Sequence, residues 1–134
     1  MIFNNIKEKE YQMHLKYFND YYGAEFRFGQ GTEELLDMIN KYSVDGNLID
    51  FGSGSNIYFW LLAFNDISEV KCVDISIEAF YINEQIKNKE LIGKSFNYPI
   101  SKYNKSLDEV LKINVDYYVK DMLRGDSIFK KKSK

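Results

Sequence analysis

The sequence is poor in several residue types, and each shortage narrows what the chain can be. Among its 134 residues there is one Cys, one Pro, one His and one Trp. Because Cys72 has no second cysteine to pair with, an internal disulfide is excluded, and an inert buried thiol in a reducing compartment is expected. His14 and Cys72 lie far apart in the sequence, so we predict no metal site, and a surface or packing role for His14.

An excess of one charge and a long apolar segment are lacking as well. The formal net charge of −2 gives no electrostatic reason to expect a nucleic acid as partner, and the lysines at 130–134 are interpreted as a solvated end. The longest apolar run, residues 57–64, is far too short to span a bilayer. Since no charged-then-apolar segment opens the sequence, we expect a cytoplasmic protein that does not enter a membrane.

Aromatic residues are abundant, and helical and strand patterns alternate along the chain. The aromatic share is 16%, which suits a core, a wide interface or a flat ligand. The spacing of apolar residues predicts helices over 5–22, 33–42, 57–64, 77–89 and 107–122, and strands over 47–51, 69–75 and 126–129. Thr32, Ser76 and Ser106 are the expected N-caps. Strands that alternate with helices predict one α/β domain with a parallel sheet, since parallel neighbours need crossover helices.

A glycine turn after the first predicted strand carries most of the chemical information. Asp50 lies in that strand, Gly52, Ser53 and Gly54 follow it, and Asp74 ends the next strand. The two glycines allow a sharp turn and let a ligand lie against bare main chain. An acid about twenty residues past the glycines is placed to accept both hydroxyls of a ribose. The pattern therefore predicts a nucleoside-binding βαβ unit.

The residues after the turn favour one class of nucleoside. Dinucleotide folds use a third glycine so that a helix can approach the pyrophosphate, but here Gly54 is followed by bulky Ile57 and Tyr58. S-adenosylmethionine has no phosphate, and its amino-acid end needs main-chain contacts and a nearby carboxylate such as Asp50. We therefore favour S-adenosylmethionine over NAD. A glycine turn that binds no ligand stays open as an alternative.

Several segments together resemble a known family. They are residues 17–22, the loop with Arg27, the helix at 33–42, residues 48–54 with Ile57 and Tyr58, and residues 72–74. In order and spacing they are similar to the class I methyltransferases typified by nicotinamide, phenylethanolamine and indolethylamine N-methyltransferases. Residues 96–99 look like the aromatic segment of that family, and residues 119–127 look like the helix and Asp that lead into its third strand.

The resemblance implies a set of residues that bind S-adenosylmethionine. Tyr17 and Tyr22 would belong to an N-terminal helical lid, residues 1–46, that folds over the cofactor. Gly52 and Ser53, in the turn completed by Gly54, would present main chain to the methionine moiety. Tyr58 would contact its carboxylate. Residues 47–134 would form the cofactor-binding half of a Rossmann-like sheet.

The nucleoside end of the cofactor is assigned in the same way. The resemblance implies that Asp74 binds the ribose hydroxyls, that Ile75 lies against the adenine, and that Asp126 and Ser127 meet the adenine amine and ring edge. One position departs from the family pattern. The family places an Asn five residues past the ribose acid, where this chain has Ala79.

The resemblance covers the first half of the family's pattern and leaves no catalytic residue to name. A sheet of this class has seven strands, whereas three are predicted here. We therefore expect an incomplete Rossmann-like fold, a subunit of a split methyltransferase whose partner chain supplies the remaining strands and the pocket for a small-molecule methyl acceptor. A non-catalytic regulatory or scaffold subunit that stabilises a partner enzyme is the alternative, and an NAD- or nucleotide-binding module is a third reading.

Overall fold

The computed structural model describes residues 3–22, 30–42, 45–91, 103 and 105–121. Within these ranges the helices and strands are, in chain order, α1 (Glu8–Tyr22), α2 (Gln30–Tyr42), β1 (Gly46–Phe51), α3 (Ile57–Leu61), β2 (Ile67–Asp74), α4 (Ile77–Lys87), α5 (Leu107–Leu111) and β3 (Asn114–Val119). None of the helices in the described ranges has the length and apolar character that a bilayer crossing requires.

The three strands form one parallel sheet in the order β1-β2-β3. Leu48 pairs with Val70, and Val70 pairs with Val115, so apolar residues of all three strands stand side by side. The chain crosses from β1 to β2 through α3, and from β2 to β3 through α4 and α5, as parallel pairing requires. The predicted α/β architecture with a parallel sheet is therefore confirmed.

One face of the sheet packs against the helices and forms the core. Successive side chains of a strand point to opposite faces, so Val70 and Cys72 of β2, which are two positions apart, project into the same core. The helices contribute fully buried side chains to this core, including Leu36 from α2 and Phe80 from α4, whose ring stacks on Tyr117 at 4.9 Å between centroids. The helices before β1 therefore share the core of the sheet.

The caps of the two later helices agree with the sequence, whereas the start of α2 does not. The Ser76 hydroxyl accepts a hydrogen bond from the Ala79 N–H at 3.2 Å, and Ser106 forms a capping box with Glu109. The second helix begins at Gln30, so the prediction that Thr32 caps it is wrong. The first turn of α2 thus extends into residues that the sequence pattern assigned to a loop.

The predicted helix over 107–122 is also wrong. The helix α5 ends at Leu111, and residues from Asn114 to Val119 form the strand β3, which pairs with β2. Val115 and Tyr118 fit a helical stripe by their spacing, but the segment is dominated by β-branched and aromatic residues, which favour a pleated, half-buried strand. The third strand of the described sheet is therefore β3, whereas the predicted strand over 126–129, with Asp126 and Ser127, lies outside the described residues.

The amino end of the sheet is closed by side chains that bond to the backbone before β2. The Asn40 amide donates to the Ala63 carbonyl at 3.0 Å, and the Asn65 amide donates back to the Asn40 carbonyl at 2.9 Å. The Lys105 ammonium group donates to the carbonyls of Phe64 and Asn65. These contacts fix α2 and α5 against the turn that leads into β2.

Candidate functional site

The glycine turn lies at the carboxyl end of β1, where the backbone adopts a conformation that favours glycine. The φ angles are +66° at Gly52 and +60° at Gly54. A side chain at either position would be strained by that conformation, although a Cβ there would meet no atom of the described residues within 4 Å. Within the described part of the chain the turn therefore presents bare backbone, which is what a ligand that packs on main chain requires.

The Asp74 carboxylate at the end of β2 holds this turn to the start of α4. The Gly54 N–H donates to Asp74 Oδ2 at 2.9 Å, and the Ser76 N–H donates to Asp74 Oδ1 at 2.9 Å. A carboxylate offers about four acceptor positions. Asp74 can therefore orient the turn and still accept hydrogen bonds from a pair of ligand hydroxyls.

An open groove of about 400 Å³ runs along the carboxyl ends of the three strands. Its lining includes Gly52, Asp74, Ile75 and Asp121. The Ile75 side chain is 66% exposed, and Phe51, which also lines the groove, is 51% exposed. In open parallel sheets ligands bind beyond the carboxyl ends of the strands, so a groove with acidic and apolar walls at this place is a candidate ligand site.

Sequence reasoning missed Asp121. This acid lies two residues after β3 and lines the groove together with Asp74. The run of β-branched and aromatic residues at 113–119 was the signal for a strand ending there, and its helical spacing hid it. With β3 ending at Val119, Asp121 lies just beyond the third described strand, while the predicted Asp126 lies outside the described residues.

The groove suits a cation better than a phosphate. The Gly52 and Ser53 N–H groups both donate to the Val73 carbonyl, at 2.7 and 3.2 Å, and the Gly54 N–H is taken by Asp74. Any main-chain contact between these residues and a ligand therefore has to use carbonyl oxygens, which accept from an ammonium group. A phosphate site needs free N–H donors.

The charges around the groove point in the same direction. Asp74 and Asp121 line it, with Lys120 as the basic residue of the lining. Asp50 of β1 is not part of this lining, and burial, with a further contribution from the negative charge of Asp74, raises the pKa of its carboxyl. Among the described residues of the lining, two acids against one lysine favour a positively charged ligand.

A buried asparagine on α4 is hydrogen-bonded to the glycine turn. Asn83 of α4 is fully buried, and its amide donates to the Gly54 carbonyl at 3.0 Å. It lies one helical turn beyond Ala79, which is fully buried as well. A polar residue on the apolar face of a predicted helix was the available signal for Asn83, because a buried amide needs a partner.

Two predicted cofactor contacts lie inside the core. Tyr58 is fully buried among the described residues, and burial raises the pKa of its hydroxyl; its contact with a methionine carboxylate stays a prediction. The Ser53 side chain is buried beside Cys72, leaving its carbonyl for a ligand. Cys72 is a free and fully buried thiol, as expected, and burial raises its pKa to about 12, which keeps it protonated and unreactive.

The predicted lid residues are described in part. Tyr17 on α1 is 43% exposed, and its ring meets the His14 ring edge-on at 5.8 Å between centroids. The side chain of Tyr22 lies outside the described part of the chain, as do Arg27, Asp126 and Ser127. The described residues therefore bring Gly52, Ser53, Gly54, Asp74 and Ile75 together and place Tyr17 on the neighbouring helix.

A second, larger groove of about 520 Å³ carries no comparable chemistry. It follows β3 from Asn114 to Tyr118 and is bordered by Phe3, Glu84 and Lys87. Its lining contains no glycine, so no bare backbone faces a ligand there. The groove at the carboxyl ends of the strands is therefore the better candidate site.

Comparisons with known proteins neither support nor oppose an assignment. A scan against protein-family models and a search of curated proteins find no match to this chain.

Proposed function

We propose that this chain is the S-adenosylmethionine-binding subunit of a split small-molecule methyltransferase, and that a partner chain supplies the acceptor site. The observation that carries the proposal is the joint position of the Gly52–Gly54 turn and the Asp74 carboxylate at one end of a parallel sheet. The proposal explains why an acid, an apolar wall and bare backbone border the same groove.

The residues present fit the proposed cofactor. Asp74 would accept the ribose hydroxyls with the acceptor positions that Gly54 and Ser76 leave, and exposed Ile75 would pack on the adenine. Asp121 would accept the adenine amine in the role first assigned to Asp126. The carbonyl oxygens of Gly52 and Ser53 would accept from the ammonium group of the methionine moiety. The bound cofactor would supply an electrophilic methyl group, while these residues bind and orient it.

The charge of the site favours S-adenosylmethionine over NAD. A pyrophosphate in this groove would meet Asp74 and Asp121, and the N–H groups of residues 52–54 are already engaged. The helix α3 has five residues, so it adds little dipole for an anion. A sulfonium and an ammonium group are instead attracted by the same acids.

Two surfaces of the described chain support the proposal of a partner, because each has groups that an isolated subunit leaves unpaired or exposed. In the described part of the chain β1 pairs with β2 on one side only, which leaves an edge strand with unpaired backbone groups. Leu35, Met38 and Tyr42 form an exposed apolar stripe on α2, each at least 46% exposed. Unpaired edges and apolar patches of this kind are typical of surfaces covered in an assembly.

Calorimetric titration with S-adenosylhomocysteine tests the cofactor assignment. Replacing Asp74 by Asn removes the charge while keeping the shape of the side chain, and we expect affinity to fall about tenfold to a hundredfold, or about 1.5–3 kcal/mol. Asp116→Asn is the matched control, because this exposed acid on β3 lies outside the proposed site. Equal losses in the two variants, or tighter binding of NAD than of S-adenosylhomocysteine, would refute the assignment.

Native mass spectrometry tests the partner. The chain is measured alone and after co-expression with the product of the neighbouring gene, and each preparation is assayed for methyl transfer. We expect a heteromeric complex with activity that the chain alone lacks. A complex that binds S-adenosylhomocysteine without methyl transfer would favour the regulatory subunit, and an active monomer would contradict the split enzyme.

A further inference from the structure

The one histidine of the chain joins α1 to the acid of the proposed site. His14 is 8% exposed, and its Nε2 lies 3.1 Å from the Ser76 hydroxyl oxygen. The Ser76 N–H donates to Asp74 Oδ1 at 2.9 Å. A single residue, Ser76, therefore contacts both the helix α1 and the Asp74 carboxylate.

The Ser76 hydroxyl is used structurally, which excludes a simple nucleophile–base pair. It accepts the Ala79 N–H as the N-cap of α4, and His14 Nδ1, the atom that would need an orienting acceptor, has no hydrogen-bond partner among the described residues. The activated serine of a hydrolase needs a base that a third group orients. The pair is better explained as a connection between two helices.

Two other polar contacts join α1, or the residue before it, to α4, and the one made by Tyr11 involves neither Ser76 nor Asp74. The Lys7 N–H donates to Glu78 Oε2 at 3.0 Å, and the Tyr11 hydroxyl donates to Gln85 Oε1 at 2.9 Å. The Tyr11 contact lies farther along α4, away from the groove. It therefore offers a control for docking of α1 that leaves the His14 contact in place.

The protonation state of His14 is set by opposing effects. Burial lowers its pKa from the ordinary value of 6.5, while the negative charges of Asp74 at the end of β2, Glu10 on α1 and Glu78 on α4 raise it and only partly offset burial. The docked position therefore favours the neutral ring. If α1 undocks, His14 regains an ordinary pKa, so the undocked state binds more protons as the pH falls below about 6.5.

We propose that His14 is a positioning residue that couples the docking of α1 to the orientation of Asp74 through Ser76, and that α1 stays docked only while His14 is neutral. The docked state is favoured above pH about 6.5 and is lost progressively as the pH falls below that value. When α1 leaves, the Ser76 hydroxyl loses the His14 ring, and the segment that holds Asp74 loses one of its supports.

Amide hydrogen exchange of the full chain, corrected for intrinsic rates, tests the docking step without any ligand. We expect protection of the α1 amides to fall several-fold between pH 7.5 and 5.5 in the unmodified protein. In His14→Gln, whose amide nitrogen can replace Nε2 but does not titrate, protection is expected to be independent of pH. In Tyr11→Phe, protection should be lower at every pH while its pH dependence persists.

The ligand-binding part of the inference rests on the proposed function and is measured separately. Titration with S-adenosylhomocysteine over the same pH range should show affinity that falls with pH in the unmodified protein and in Tyr11→Phe, but not in His14→Gln. If no variant binds S-adenosylhomocysteine while the exchange data behave as expected, the proposed function fails and the role of His14 in docking stands. Equal pH dependence of α1 protection in His14→Gln and the unmodified protein would overturn the inference.

Discussion

At the amino end of the sheet, side-chain amides and an ammonium group bond to loop carbonyls, whereas at the carboxyl end glycines and exposed apolar side chains leave the backbone open. Asn40, Asn65 and Lys105 satisfy the turn before β2. A Cβ at Gly52 or Gly54 would instead meet no atom of the described residues within 4 Å, and the Ile75 and Phe51 side chains are exposed.

This difference indicates that the amino end of the sheet contributes mainly to stability and the carboxyl end mainly to ligand binding. Polar contacts that close a turn contribute to the free energy of unfolding, because buried carbonyls without donors are costly. Exposed apolar groups contribute little to stability and gain free energy when a ligand covers them. Substitutions of the polar residues at the amino end should therefore change stability without changing ligand affinity, and substitutions of the exposed apolar residues at the carboxyl end should do the reverse.

The largest effect is expected for Asn40→Ala at the amino end. The change removes the donor to the buried Ala63 carbonyl, and we expect the free energy of unfolding to fall by about 1–3 kcal/mol in urea titrations. The affinity of the folded protein for S-adenosylhomocysteine should stay constant. Asn47→Ala, at an exposed position of β1, is the control and should change stability by less than about 0.5 kcal/mol. An affinity loss in Asn40→Ala would show that the two ends are coupled.

This division was partly readable from the sequence. The glycine turn and Asp74 were predictable because positive φ angles and an acid at a strand end leave local signatures, and the structure brings them to one groove. Ser76 was predictable as an N-cap for the same reason. The roles of Asn40 and Lys105 were not predictable, because the carbonyls that they bind lie in distant segments of the sequence and no local pattern indicates those contacts.

The third strand shows where local patterns fail. Val115 and Tyr118 are compatible with both a helical and a strand period, and pairing with β2 decides between them. That pairing is a tertiary interaction, so spacing alone could not settle it. Because β3 was not predicted, Asp121 was not among the predicted site residues, whereas the predicted Asp126 lies outside the described residues.

An intermediate effect is expected for Ile75→Ala at the carboxyl end. Because Ile75 is 66% exposed, the free energy of unfolding should change by less than about 0.5 kcal/mol. Loss of its contact with the adenine should weaken S-adenosylhomocysteine binding by about 1 kcal/mol, or about fivefold. Leu35→Ala, an exposed apolar residue on α2, serves as control and should leave this affinity unchanged. A similar loss in both variants would remove Ile75 from the site.

The smallest effect is expected for Asp50→Asn. The sign of its change in stability tests whether an acid at the carboxyl end of the sheet destabilises the folded protein. Burial and the charge of Asp74 raise the pKa of Asp50, so the folded state binds more protons than the unfolded state above the ordinary value of 3.8. Stability contributed by protonated Asp50 is therefore lost as the pH rises through that window. Asp50→Asn should be more stable than the unmodified protein at pH 7 and equally stable below pH 3.8, as judged by thermal unfolding at several pH values. A variant that is less stable at pH 7 would show that hydrogen bonds to the Asp50 carboxylate outweigh its burial.

The order of the strands has a consequence for synthesis of the chain. Each strand pairs with its immediate successor in the sequence, so β1 and β2 can associate as soon as residue 74 has left the ribosome. The hydrogen bond from Gly54 to Asp74 spans 20 residues, so it needs no part of the chain beyond β2. The turn and its acid can therefore come together while β3 is still being translated, whereas Asp121, which the adenine end of the proposed site requires, follows only after β3.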